Sequence, residues 1–317
     1  MHPSPRPPRE APYGHWSSPL DAARVAAAAP AFGDAAFDGD AVLWSQSRPE
    51  ERGRTTLYRR EANGEVHEVT PAPFDVRTSV HEYGGGAWAV RDGAIVFAHH
   101  ADQRLYVAEP DREPRPLTPE SDRLLRYADL AWTPDGTAVL AVREDHRAHD
   151  REPVNTLVSV PLSGGPEEGA VLAEGCDFYA SPTPSPDGRR LAWTEWDHPN
   201  MPWDGTRLRM AALNGAGRPG PAERVAGGPD EAVQQPRFLP DGALAFVSDR
   251  SGWWNLYLHQ GDEVRALWPC EQEFGQPAFA LGLATMDAAG NDHVVAAFGR
   301  GRPSRLAVVP ASRRRGA

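Results

Sequence analysis

Six times along the chain a short polar turn containing glycine is followed by an unbroken apolar run. The clearest copy is Thr133-Pro134-Asp135-Gly136, ahead of Ala138-Val139-Leu140-Ala141-Val142. Proline presets φ, aspartate can bond the backbone ahead of it, and glycine takes the positive φ. The device returns at Ser185-Pro186-Asp187-Gly188 before Leu191-Ala192-Trp193, and at Leu239-Pro240-Asp241-Gly242 before Ala243-Leu244-Ala245-Phe246-Val247. Asp38-Gly39 and Asp92-Gly93 are weaker copies, and Ala289-Gly290-Asn291-Asp292 is a decayed one ahead of Val294-Val295-Ala296-Ala297-Phe298. After each apolar run comes a segment built on one leucine with polar neighbours: Leu57, Leu105, Leu157, Leu208, Leu256 and Leu306. A fourth segment closes most units, at 68–71, 115–119, 171–172, 224–226 and 266–269.

The turn glycines at 39, 93, 136, 188, 242 and 290 are 43 to 54 residues apart. A repeat of that length with four strand signals predicts a propeller blade. The run after the turn is apolar on both faces because a neighbouring blade is expected to cover each of them. The expected fold is all-β: a β-propeller of about six to seven four-stranded blades over residues 31–309. The sixth unit has only three strand signals, so the last blade is expected to be incomplete. Ser18-Pro19-Leu20-Asp21 reads as a helix start, with Ser as cap, Pro at the first position and an acid in the first turn. This predicts one short helix over 22–29 within an N-terminal arm, 13–30. Residues 1–12, rich in Pro and Arg, are expected to be disordered, and 310–317 to form a solvated basic tail. An unfinished blade leaves backbone groups at 305–309 open to edge pairing, so self-association is expected.

Composition narrows the function. The high counts of Pro (32) and Gly (30) suit a fold made of turns. Net charge is −11 with no basic stripe, which argues against nucleic acid as a partner. No apolar run reaches membrane-spanning length, so no membrane partner is expected. Residues 1–10 lack the apolar segment of a signal peptide, and a cytoplasmic location is expected. Cys176 and Cys270 are the only cysteines and are read as free structural thiols.

Few stretches could carry chemistry. His81-Glu82-Tyr83-Gly84-Gly85-Gly86 is no zinc motif, since no second His follows at the right spacing, and no phosphate loop, since no Lys follows. It reads as a tight blade corner, with the lining of the propeller mouth as the other reading. The loop 195–205 holds Trp196, His198, Met201 and Trp203, too much apolar surface to be solvent filler. In 248–257, Asp249 and Arg250 are expected to pair locally and Trp253 and Trp254 to pack within the blade. The acids and His of 143–150 read as a solvated hairpin tip rather than a metal site. No Gly-x-Ser-x-Gly occurs and no catalytic triad can be assembled. No catalytic residue, cofactor or metal is therefore assigned. The candidate contact residues, for substrate or for a neighbouring domain, are His81, Glu82, Tyr83, Trp196, His198 and Trp203.

The 81–86 motif resembles the signature of bacterial prolyl-oligopeptidase-type serine peptidases of the acylaminoacyl-peptidase and dipeptidyl-aminopeptidase-like branch. Tyr13-Gly14-His15-Trp16-Ser17-Ser18-Pro19, Arg126-Tyr127-Ala128-Asp129, Asp177-Phe178-Tyr179, 196–205 and 249–257 are similar to further motifs of that family. The resemblance covers roughly 13–309. It implies an N-terminal propeller that restricts access to an α/β-hydrolase domain, with that domain and peptide substrates as partners. None of the family's catalytic Ser, Asp and His can be placed in this sequence. Phe246-Val247-Ser248-Asp249-Arg250-Ser251-Gly252 also resembles TolB, whose free-standing propeller is a protein-interaction scaffold. The missing signal peptide and the 81–86 motif count against that alternative. A propeller with its own site in the channel, as in some sugar-active propellers, would need acids converging there.

Overall fold

The computed structural model describes residues 10–15, 18, 20–21, 29–163, 168–301 and 305–312. The helix expected over 22–29 falls, but for its last residue, outside them. The described residues form an all-β propeller of six antiparallel sheets, each a meander. A short 3-10 turn at Pro49–Glu51 is the only helical element among them.

The first sheet is β1 (Phe32–Asp38), β2 (Ala41–Arg48), β3 (Arg54–Arg60) and β4 (Val66–Glu68). The second is β5 (Trp88–Arg91), β6 (Ala94–Ala98), β7 (Leu105–Ala108) and β8 (Arg115–Pro116). The third is β9 (Leu125–Trp132), β10 (Ala138–Asp145), β11 (Val154–Pro161) and β12 (Ala170–Ala173). The fourth is β13 (Phe178–Pro184), β14 (Arg190–Trp196), β15 (Arg207–Ala212) and β16 (Glu223–Gly227). The fifth is β17 (Val233–Phe238), β18 (Leu244–Ser248), β19 (Asn255–Gln260) and β20 (Glu263–Ala266). The sixth has three strands among the described residues, β21 (Met286–Ala289), β22 (His293–Phe298) and β23 (Arg305–Pro310).

The turn chemistry sets the hairpin between the first two strands of each sheet. Asp135 accepts from the Thr137 N–H (3.1 Å) and the Thr133 hydroxyl (2.7 Å), and Gly136 takes φ 71°. Asp187 and Asp241 do the same for the N–H groups of Arg189 (3.1 Å) and Ala243 (2.9 Å). Two fourth strands lie earlier than the sequence pattern suggests: β4 ends at Glu68 and β20 at Ala266. In the first sheet the cause is a side chain. The Thr70 hydroxyl accepts from the Leu57 N–H (2.8 Å), taking over the place a ladder partner would hold. Thr118 treats the Leu105 N–H (3.0 Å) in the same way.

The inner strands carry a shared irregularity. Gly86, Asp129, Ser181 and Gln235 all have φ between 54° and 56°, each seven residues ahead of a turn glycine. At three of these the pairing register shifts, as expected of a β-bulge that re-aims a strand. The bulges bond to one another around the axis. The Gly86 backbone bonds the Asp34 carboxylate, and the Leu130 N–H donates to the Gly86 carbonyl (3.1 Å). Asp129 Oδ2 accepts from the Ser181 N–H (2.6 Å), and the Thr183 hydroxyl donates to the Pro236 carbonyl (3.1 Å). Gln235 Oε1 accepts from the Thr285 N–H (2.5 Å).

The core is divided into five apolar clusters, one between each pair of consecutive sheets. Among the described residues no helix is long and apolar enough to cross a membrane.

Candidate functional site

All six candidate contact residues line one cavity of about 670 Å³. Its wall is assembled from four separate stretches: the 81–83 loop, the end of β10 with the start of β11, the Asp177-Phe178 entry to β13 with the 196–203 loop, and the segment 278–281.

The 81–86 motif is both a corner and part of this mouth. His81, Glu82, Gly84, Gly85 and Gly86 all have positive φ, so the chain winds tightly here. Gly85 and Gly86 are required by contact. A Cβ on Gly85 would stand 2.0 Å from the Leu281 carbonyl oxygen, and one on Gly86 would stand 2.6 Å from Asp129 Cα. The segment around Leu281 is thereby laid against the motif, with the Leu281 N–H donating to the Gly84 carbonyl (2.9 Å).

An aromatic cluster forms one side of the cavity. Phe178 stacks on Trp196 with ring centres 5.2 Å apart, and the His81 ring meets Phe178 edge-on at 5.1 Å. His198 meets Phe178 at 4.9 Å and is held by Asp177, whose Oδ2 lies 3.0 Å from Nδ1 and accepts the His198 N–H at 2.9 Å. Trp196 is buried within this stack. The exposed apolar side chains of the mouth are Tyr83, Met201 and Phe279 instead. Trp203 is half-buried in a loop tied at both ends: Met201 N–H donates to Asp204 (2.9 Å), and Asn200 Nδ2 to the Pro229 carbonyl (2.9 Å).

The polar side is acidic. Glu82, Glu144, Glu152 and Asp177 line the cavity, and no Arg does. Arg126 stands behind them, 2.9 Å from Glu82 and 3.4 Å from Glu144. Its hydrogen bond holds the Glu82 carboxyl below the usual carboxylate range. Glu144 is buried, accepts the His81 N–H (3.1 Å) and lies 2.6 Å from His146 Nε2. Burial drives the His81 imidazole below its ordinary 6.5, against the pull of Glu144 and of Asn155, whose Oδ1 is 3.2 Å from Nε2. His81 is therefore neutral at neutral pH. The arrangement offers anionic groups and aromatic faces to a partly apolar cation.

Sequence reasoning missed Glu144, Asn155, Phe178 and the segment 278–281. Phe178 lay inside a noted motif. Glu144, read as part of a solvated tip, is pulled inward because β10 carries it to the end of a buried strand. Arg250 pairs with Glu231 (2.8 Å), not with Asp249, which accepts the Ala232 N–H (2.9 Å) across the sheet. Trp254 packs on the cluster between the fifth and sixth sheets. Cys176 and Cys270 are free, and the Cys176 thiol is pushed up by burial. Among the described residues no group of three or more His, Cys, Asp or Glu side chains could hold a metal ion.

Fold and mouth together define a class: a six-bladed β-propeller with an acidic, aromatic cavity at one opening. No family model matches the chain. No curated protein matches it. Solved structures do. A puromycin-hydrolyzing peptidase of Mycobacterium tuberculosis is 40% identical with a TM-score of 0.85, over 94% of this chain and 48% of that one. A puromycin hydrolase is 37% identical with a TM-score of 0.87, over 94% and 48%. Prolyl oligopeptidase B of Galerina marginata, at 15% identity and a TM-score of 0.61, shares the fold. The chain matches the propeller regions of puromycin hydrolases, and of prolyl oligopeptidases in fold. It spans about half the length of these puromycin-hydrolyzing peptidases.

Proposed function

We propose that this chain is the substrate-gating propeller of a prolyl-oligopeptidase-type serine peptidase and that its cavity holds a short peptide or an aminoacyl amide such as puromycin. The observation that carries the reading is the convergence of His81, Glu82, Tyr83, Trp196, His198 and Trp203 on one cavity, in a chain 40% identical to half of a puromycin-hydrolyzing peptidase. The carboxylates suit an amino group and the stacked rings suit the side chain beside it, and entry through the propeller would favour small substrates over folded protein. The chemical step belongs to a hydrolase partner, since this sequence holds no nucleophile elbow. A role restricted to the cytoplasm and an unfinished sixth blade are parts of the same reading.

The test pairs this chain with the remaining half of the Mycobacterium tuberculosis peptidase. Cleavage of an aminoacyl arylamide and of casein is measured with and without the chain. The chain is expected to favour the small substrate, and Trp203→Ala or His81→Ala to lower its kcat/KM by about tenfold, the loss of one good contact. An unchanged ratio between the two substrates would sink the gating role.

A further inference from the structure

Between β20 and β21 the chain makes a loop whose two ends are tied together. The Thr285 hydroxyl donates to the Phe274 carbonyl and closes the neck. Strand β17 holds both ends: Gln234 Nε2 donates to the Gln276 carbonyl (3.1 Å), and Gln235 Oε1 accepts from the Thr285 and Met286 N–H groups. Compact loops with joined ends are frequently functional. Inside the neck the sequence is Pro277-Ala278-Phe279-Ala280-Leu281-Gly282-Leu283-Ala284, without one polar side chain. Among the described residues a single hydrogen bond ties these eight to the rest of the molecule, from the Leu281 N–H to the Gly84 carbonyl.

The tip of the loop leaves its own sheets. Leu281 is 8% exposed and belongs to the cluster between the third and fourth sheets, with Val80, Tyr179 and Trp193. Gly282 lies against Gly86, where a Cβ on it would stand 2.6 Å from the Gly86 Cα. The loop therefore reaches from the fifth and sixth sheets across to the far side of the ring. On one side of it lies the mouth cavity. On the other is a cavity of about 30 Å³ lined by the bulge residues Asp129, Ser181 and Gln235. Ala278, Ala280 and Leu281 line both, so the loop is the partition between mouth and bore.

We propose that 277–284 is a strap that opens and shuts the way between bore and mouth, and that a small aminoacyl amide in the mouth holds it shut. Opening breaks one backbone hydrogen bond and withdraws one leucine from its socket. The neck at Phe274 and Thr285 stays tied, and no buried polar side chain loses a partner. A ligand in the mouth meets Ala278, Phe279 and Ala280 only when the strap is shut. Contacts made in one state alone are what let a ligand shift an equilibrium. Phe279, 59% exposed, is the side chain such a ligand covers. Open, the strap joins the bore to the mouth; shut, it retains what has entered. The choice of ligand rests on the peptidase reading, and the motion of the strap does not.

The experiment is amide exchange on this chain with and without puromycin, whose binding is followed by calorimetry. The Leu281 N–H is expected to exchange at least about tenfold faster than the Leu130 N–H, which bonds Gly86 within the ring. Leu281→Ala should speed exchange at position 281 by about a further tenfold and leave Leu130 unchanged. Leu281→Met, which refills the socket, should restore the parent rate. Saturating puromycin should slow Leu281 by about tenfold. Equal rates at Leu281 and Leu130 overturn the proposal, because the strap then opens only when the ring unfolds. A variant that speeds Leu130 as much as position 281 overturns it for the same reason. So does puromycin that binds without slowing Leu281. If puromycin does not bind, the peptidase reading of the mouth falls and the ligand's hold on the strap with it, while the rates at Leu281 and Leu130 still decide the motion.

Discussion

Strands β10 and β22 follow the same kind of turn and carry the same kind of apolar run, yet they live in different surroundings. In β10 every residue from Ala138 to Glu144 is buried. In β22 burial alternates: Val294, Ala296 and Phe298 are covered, while Val295 and Ala297 are half open. Strand β2, at the other end of the series, alternates likewise, and β6, β14 and β18 behave like β10. Among the described residues the four inner sheets are thus packed on both faces and the two end sheets on one. An apolar strand is a request for two neighbours, and whether the request is met depends on position in the ring.

The sharpest way to break this comparison is to cut the same leucine in both settings. Leu256→Ala should cost about 2–5 kcal/mol, read from urea unfolding. Leu306→Ala should fall within about 0.5 kcal/mol of the parent. Equal costs would mean that the sixth sheet is covered after all. Next in size is Gly85→Ala, which drives a Cβ into the Leu281 carbonyl and strains a residue at φ 101°. A loss of about 1–3 kcal/mol is expected, with faster amide exchange at Leu281, and an unchanged exchange rate would show that the segment is held by something else.

Two smaller effects come from titration. Burial holds the His81 pKa below 6.5, so the unfolded chain binds the proton more readily. Its contribution to stability is complete above 6.5 and is lost as pH falls through the lower folded value. Thermal midpoints should therefore drop from pH 7 to pH 5, and His81→Phe should flatten part of that drop. His100 and His259, also lowered by burial, supply the remainder. A slope unaltered by the substitution would remove His81 from the account. Asp129 has the opposite sign, since burial raises its carboxyl against the pull of the Ser181 N–H. Its contribution is fullest below the ordinary 3.8 and is lost as pH rises through the folded value. Asp129→Asn should raise the midpoint at pH 7 slightly, the amide oxygen still accepting from Ser181. A lowered midpoint would show that the charge itself is needed.

Much of this was legible from residues alone, because the determinants are local. Pro-Asp-Gly makes its own hairpin, and the leucine series marks the third strand whatever surrounds it. The aromatic and acidic character of 81–83 and 196–203 was equally plain. Their meeting in one cavity was not, because it depends on the angle between sheets. Glu144 illustrates the limit: its neighbours Arg143 and Asp145 speak for a solvated tip, and only the length of β10 turns it inward. The shift of β4 failed for another reason, since the Thr70 hydroxyl substitutes for backbone in the ladder and leaves the apolar pattern untouched.

The hydrogen bonds that run from Asp34 through Gly86, Asp129 and Ser181 to Gln235 and Thr285 form, in mechanical terms, a split ring. A closed hoop shares tension among all its links. A hoop cut once carries none, and a load that spreads the bore is taken up as bending at each link. Here the links are a few hydrogen bonds between neighbours, most numerous from Gln235 to Thr285, and the Leu281 N–H bond to the Gly84 carbonyl adds a further tie. A segment seated in the cut would bear on the diameter of the ring, and with it on the opening where His81 stands.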